Sequence, residues 1–116
     1  MGDTLEECLD ELSNVLRFFA EQKNYSYIDR IANALTPSPA EKAIQEALRH
    51  LRSLYDSSFQ YSDEKSGKTF RAVRINDNIV ILPKMPSQKC IKEVLEAISD
   101  SSIRRKLAIL SLSYGR

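Results

Sequence analysis

Leu5, Leu9, Leu12, Leu16 and Phe19 recur at steps of four, three, four and three, and Cys8 and Val15 widen the same stripe. That spacing follows the 3.6-residue helical repeat and predicts a helix from Thr4 to Lys23 with one strongly apolar face. Thr4 and Glu7 form a capping box, and acids crowd the first turns, where the helix dipole favours them. The period also suits a coiled-coil seam, yet two heptads are too few to sustain one, so the stripe reads as a core face. A single amphipathic helix cannot cover that face, and the rest of the chain must supply the cover.

The remainder is patterned to do so. Ser26 and Asp29 offer a second cap ahead of Ile28, Ile31, Ala32 and Leu35, in a helix that must stop before Pro37. Ser38-Pro39-Ala40-Glu41 reads as an N-cap serine, a first-position proline and a glutamate, opening a third helix that runs to about Asp56. After Ser57 the period changes. Phe59 and Tyr61 alternate with polar residues, Ser66-Gly67-Lys68 supplies a turn, and Thr69 to Ile75 is rich in strand formers. Asn76-Asp77-Asn78 makes a second turn before the strand from Ile79 to Leu82, which Pro83 ends. Pro86-Ser87 introduces a fourth helix, and a fifth follows Ser99-Asp100-Ser101-Ser102 with Ile103, Leu107 and Leu110 inward. The expected class is α+β: a mainly helical bundle of about five helices with a three-stranded antiparallel meander inserted before the last two. One domain is expected over residues 1–116, divided into an acidic three-helix part (1–56), the meander (57–83) and a basic helical arm (84–116).

Charge is divided unevenly along this frame. Residues 1–64 hold 12 acidic and 6 basic side chains and residues 65–116 hold 4 and 11, so the halves carry −6 and +7 while the chain sums to +1. Such asymmetry points to a polyanion or a complementary protein surface. At 116 residues and 42% apolar the chain can bury one core. No uninterrupted apolar run, Ile79 to Leu82 included, exceeds four residues, and none can span a bilayer. No secretory leader or myristoylation signal is read at the start, and a cytoplasmic setting is expected. Cys8 and Cys90 both fall on apolar helix faces without metal-ligand spacing and read as buried free thiols.

No catalytic residue, metal ligand or cofactor is expected. Ser66-Gly67-Lys68-Thr69 looks like the tail of a phosphate-binding loop, but Ser62 stands where that motif needs glycine, and a strand follows where it needs a helix. His50, the one histidine, reads as a helix-surface residue. The paired acids Glu6-Glu7 and Asp10-Glu11 read as a hydrated acidic surface. The basic residues carry more meaning. Lys65, Lys68, Arg71 and Arg74 lie on or beside one hairpin, where Phe59, Tyr61 and Phe70 could stack on bases, although those rings read first as the sheet's core face. Arg104-Arg105-Lys106 is the densest basic cluster, at a helix start where cations oppose the dipole. These seven cations are the expected nucleic-acid contacts, and Glu6, Asp10, Glu11 and Glu21 the expected protein interface.

The stretch Phe18-Phe19-Ala20-Glu21-Gln22-Lys23-Asn24-Tyr25-Ser26-Tyr27-Ile28-Asp29-Arg30, continuing through Leu35, resembles the N-terminal helical segment of the small subunit of archaeal type I-A CRISPR effector complexes. The resemblance implies a non-enzymatic antiviral subunit that packs beside other subunits of a crRNA-guided surveillance complex and helps hold nucleic acid. It would bind crRNA or single-stranded DNA weakly alone, by neutralising phosphates and releasing counterions. Unlike patches also admit self-association, and no membrane is expected as a partner. The alternative from a different class is an acidic inhibitor or immunity-type protein whose first half plugs a basic enzyme.

Overall fold

The capping box forms as the sequence predicts: in the computed structural model, which describes residues 4–113, the Glu7 N–H donates to Thr4 Oγ1 at 3.1 Å and the Thr4 N–H to Glu7 Oε1 at 2.8 Å. Helix α1 (Leu5–Glu21) follows, then α2 (Ser26–Ala32), α3 (Pro37–Asp56), β1 (Phe59–Ser62), β2 (Thr69–Ile75), β3 (Asn78–Ile81), α4 (Gln88–Ala97) and α5 (Ser101–Leu112). The class is α+β, with the sheet inserted between α3 and α4. Residues 1–3 and 114–116, the outer ends of the expected acidic and basic parts, lie outside the described residues.

Several boundaries differ from expectation. Ser26 is the first residue of α2 rather than its cap, and its N–H is met by Asn24 Oδ1 at 3.2 Å. Helix α2 ends at Ala32, leaving Leu35 93% exposed in the link. Helix α3 begins at Pro37 with Thr36 as N-cap, not at Ser38-Pro39. Proline lacks an N–H and has a fixed φ, so it serves a first helical position as readily as it bars the helix before it.

Helix α1 packs chiefly against α5 and α4, α2 lies on α3 and α5, and β2 leans on α3. The apolar stripe of α1 is thereby covered: Leu9, Leu12, Val15 and Leu16 are buried with Ile28, Ile31, Ile44, Leu51, Val94, Ile98 and Leu107. Each such side chain contributes about 1.5–3 kcal/mol by leaving water. Helices α4 and α5 are not an arm, because their apolar stripes close the core over α1. Cys8 on α1 and Cys90 on α4 are both buried and joined by a disulfide with Cα atoms 4.9 Å apart. The free-thiol expectation is corrected here, since packing α4 on α1 brings together two cysteines 82 residues apart in sequence.

The strands run β1-β2-β3, all antiparallel, with Phe59 opposite Ala72, Tyr61 opposite Phe70, Arg74 opposite Ile79 and Ala72 opposite Ile81. Asn76 and Asp77, at φ 51° and 69°, form the two-residue turn whose left-handed geometry matches strand twist. Between β1 and β2, Asp63 organises the loop: its carboxylate accepts from the Lys65 N–H and the Ser66 hydroxyl. Its carbonyl accepts from Gly67, which sits at φ +73°. The phosphate-loop resemblance of Ser66-Gly67-Lys68-Thr69 thus resolves as a strand connection.

Candidate nucleic-acid interface

Side chains alternate across a strand, and directly opposed residues share a face, so the register sorts the sheet into two sides. One carries Val73, Ile75 and Val80, buried or half-buried toward the core. The other carries Phe59, Tyr61, Phe70, Ala72, Arg74, Ile79 and Ile81. On that second side Phe59 and Tyr61 are 37% and 36% exposed, and Ile79 and Ile81 are 46% and 44% exposed. The reading of Phe59 and Tyr61 as core is therefore corrected. Strand β1 has both faces open, and the helices cover the other side of β2. Ala72, with no exposure, lies under the flanking Phe59 and Ile81.

The hairpin cations divide in use. Arg74 is exposed on the aromatic side, and Lys65 and Lys68 are exposed in the loop between β1 and β2. Arg71 projects from the opposite side and holds Ser58, donating from Nε to its hydroxyl and from Nη2 to its carbonyl, each at 3.0 Å. Its charge is exposed, yet its hydrogen-bonding edge is occupied.

The cluster Arg104-Arg105-Lys106 does not present one surface. Arg104 is buried, and its Nη1 donates to the Ile98 carbonyl at 2.7 Å and the Ser99 carbonyl at 3.3 Å. Those carbonyls close α4, whose negative dipole end offsets the charge that the start of α5 opposes. Lys106 bonds Glu6 at 2.7 Å, joining an expected nucleic-acid contact to an expected protein contact. This bond and the lysine charge hold the Glu6 carboxyl below its usual range. Arg105 alone of the three is exposed without a bonded partner among the described residues. Asp10 and Glu21 are exposed on α1, and Glu11 is half-buried.

His50 is not a simple surface residue. It is half-buried, stacks on Phe19 with ring centroids 4.5 Å apart, and shares a 3.0 Å hydrogen bond between Nδ1 and the Tyr27 hydroxyl. Burial chiefly, and then the Glu46 charge, push the Tyr27 hydroxyl above its ordinary value, which Arg30 opposes. Arg30 bonds Glu46 at 2.6 Å and holds that carboxyl low. The group ties α2 to α1 and α3.

Two features went unread in the sequence. Ile79 and Ile81 join the aromatic side only once β3 pairs in phase with β2; their alternation with Asn78 and Val80 was the available signal. Arg17 donates to Asn14 Oδ1 and to the Leu110 carbonyl at 2.6 Å, which ties α1 to the last turn of α5. Nothing in its local sequence marks that reach.

Among the described residues no helix is long and apolar enough to cross a membrane. The family described as CRISPR-associated protein (Cas_Csa5) matches the chain over residues 15–114, far beyond the stretch that carried the first resemblance. No curated protein matches the chain.

Proposed function

Because the chain belongs to the Csa5 family of CRISPR-associated proteins, we propose that it is a non-catalytic small subunit of a crRNA-guided antiviral complex and holds a nucleic-acid strand on the open side of its sheet. The observation that carries this reading is the in-register placement of exposed Phe59 and Tyr61 beside Arg74, with Lys65 and Lys68 on the adjoining loop. Aromatic faces stack on unpaired bases while cations follow the phosphates, a pairing that suits single strands and requires no sequence reading. Duplex DNA hides its base faces and offers only the electrostatic part. The binding set is therefore Lys65, Lys68 and Arg74 with the two aromatics. Arg71 and Arg105 contribute charge nearby or in the assembly, and Arg104 and Lys106 serve the fold. Asp10, Glu11 and Glu21 on α1 face neighbouring subunits. Family membership favours this reading over an inhibitor of a basic enzyme.

Fluorescence anisotropy with single-stranded and duplex oligonucleotides at several salt concentrations tests it. Exchanging Lys65, Lys68 and Arg74 for glutamine is expected to reduce the slope of log affinity against log salt by about 2 for single strands, since each phosphate contact contributes about 0.7. Phe59→Ala with Tyr61→Ala is expected to cost about 1–3 kcal/mol per stacked base and to leave the slope unchanged. Unaltered affinity in the aromatic double variant removes the sheet as the site.

A further inference from the structure

Helices α3 and α4 flank an open groove, formed by two adjoining cavities of about 470 and 420 Å³. Gln88, Ile91 and Leu95 line both cavities, and Leu48 joins them from α3. Each helix contributes one stripe at helical spacing, and each packs mainly on another helix, α3 on α2 and α4 on α1. The groove is charged in a graded way. Arg49 and Arg52 stand at one end, and Glu41 and Glu96 share the cavity at the other with Lys92. None of these five side chains makes an ion pair or side-chain hydrogen bond among the described residues.

We infer that this groove is the docking site for an amphipathic helix of another protein subunit, acidic at the end that meets Arg49 and Arg52 and basic at the end that meets Glu41 and Glu96. Two helical walls with half-buried Ile91 and Leu95 between polar flanks accept the ridge of a third helix. From Glu41 to Arg52 the α3 wall spans about 16 Å, which an occupant of about eleven residues matches at helical rise. A nucleic-acid strand fits less well, because Glu41 and Glu96 repel phosphates at one end and the floor presents Ile91 and Leu95 where a sugar-phosphate chain needs donors. Neither helix wall offers the unpaired backbone groups that an extended peptide needs. The inference uses family membership and is independent of the strand-binding role of the sheet.

The test places a benzoylphenylalanine photo-cross-linker at the exposed positions of Gln45 and Gln88, one at a time, in the complex reconstituted from its protein subunits and crRNA. The expected product joins this chain to one helical segment of a different subunit with acids toward one end. Arg49→Glu with Arg52→Glu is expected to lower the yield about tenfold, mainly through association. The glutamine pair at the same positions repeats the test should the glutamates disturb folding. Cross-links to nucleic acid or to a second copy of this chain overturn the inference, as does the absence of any cross-link in an assembled complex. Oligonucleotide binding by the free protein is expected to be unchanged in these variants, so failure here is separable from failure at the sheet.

Discussion

Arg104 turns inward onto the end of α4, while Arg105, next in the chain, stays exposed. Three consecutive residues on a helix span about 200° of its surface, so a basic triplet cannot all face outward on a packed helix. The buried stripe of α5 is Arg104, Leu107, Ala108 and Ser111, at i, i+3, i+4 and i+7. Reading Ile103, Leu107 and Leu110 as the inner face misplaces that stripe by one residue, which exposes Arg104 on paper. Its guanidinium is held by two carbonyls that lose their partner when it is removed. Arg104→Met is expected to destabilise the protein by about 2–3 kcal/mol, because a buried bond to a charged group is lost and carbonyls are left unmet. Arg105→Met is expected to stay within about 0.5 kcal/mol. Urea denaturation of both variants decides the matter, and equal midpoints count against the inward role of Arg104.

At the scale of elements, the Thr4 cap and the turns were the most readable parts. Thr4 caps α1 as expected, Ser87 and Asp100 cap the helices that the segments around them introduce, and β2 occupies the expected Thr69–Ile75. Asp100 adds a pH response. Its carboxylate accepts from the Ser102 N–H at 2.9 Å and the Ser102 hydroxyl at 2.8 Å, and these bonds lower its pKa. A carboxyl that is more acidic in the folded state contributes stability above its unfolded value, near pH 4, and loses it as pH falls through the lower folded value. Asp100→Ala is therefore expected to unfold earlier than the parent at pH 7, with the two denaturation midpoints converging below about pH 4. Parallel curves across that range argue that the bonds do not depend on charge. What the elements concealed was their exposure. Alternation in β1 identifies two faces, but which faces stay open depends on how far the helices reach across the sheet, and Phe59 and Tyr61 lie beyond that reach. Ser26 and Pro37 misled for a related reason, since each residue type suits either of two adjacent positions at a helix start.

For the whole molecule, the division of charge along the sequence does not become two separate poles. The acidic helix α1 packs on the charge-balanced α4 and the basic α5, and Glu6 meets Lys106 across the seam with α5. The same packing brings Cys8 to Cys90. Neither cysteine's neighbourhood signals a bond, because they stand 82 positions apart in sequence and only the docking of α4 on α1 sets their distance. The disulfide therefore records the tertiary arrangement more directly than any local motif. It spans the bundle from its first helix to its fourth, enclosing the sheet and most of the core. Restricting a loop of this length in the unfolded chain is expected to stabilise the native state by about 3–5 kcal/mol. Guanidinium denaturation with and without dithiothreitol should show that difference. The double variant Cys8→Ser with Cys90→Ser should resemble the reduced protein and ignore the reductant. A parent whose midpoint does not move on reduction shows that packing of Leu9, Leu12, Val94 and Leu107 already holds α1 to α4 and α5, with the bond redundant to the core.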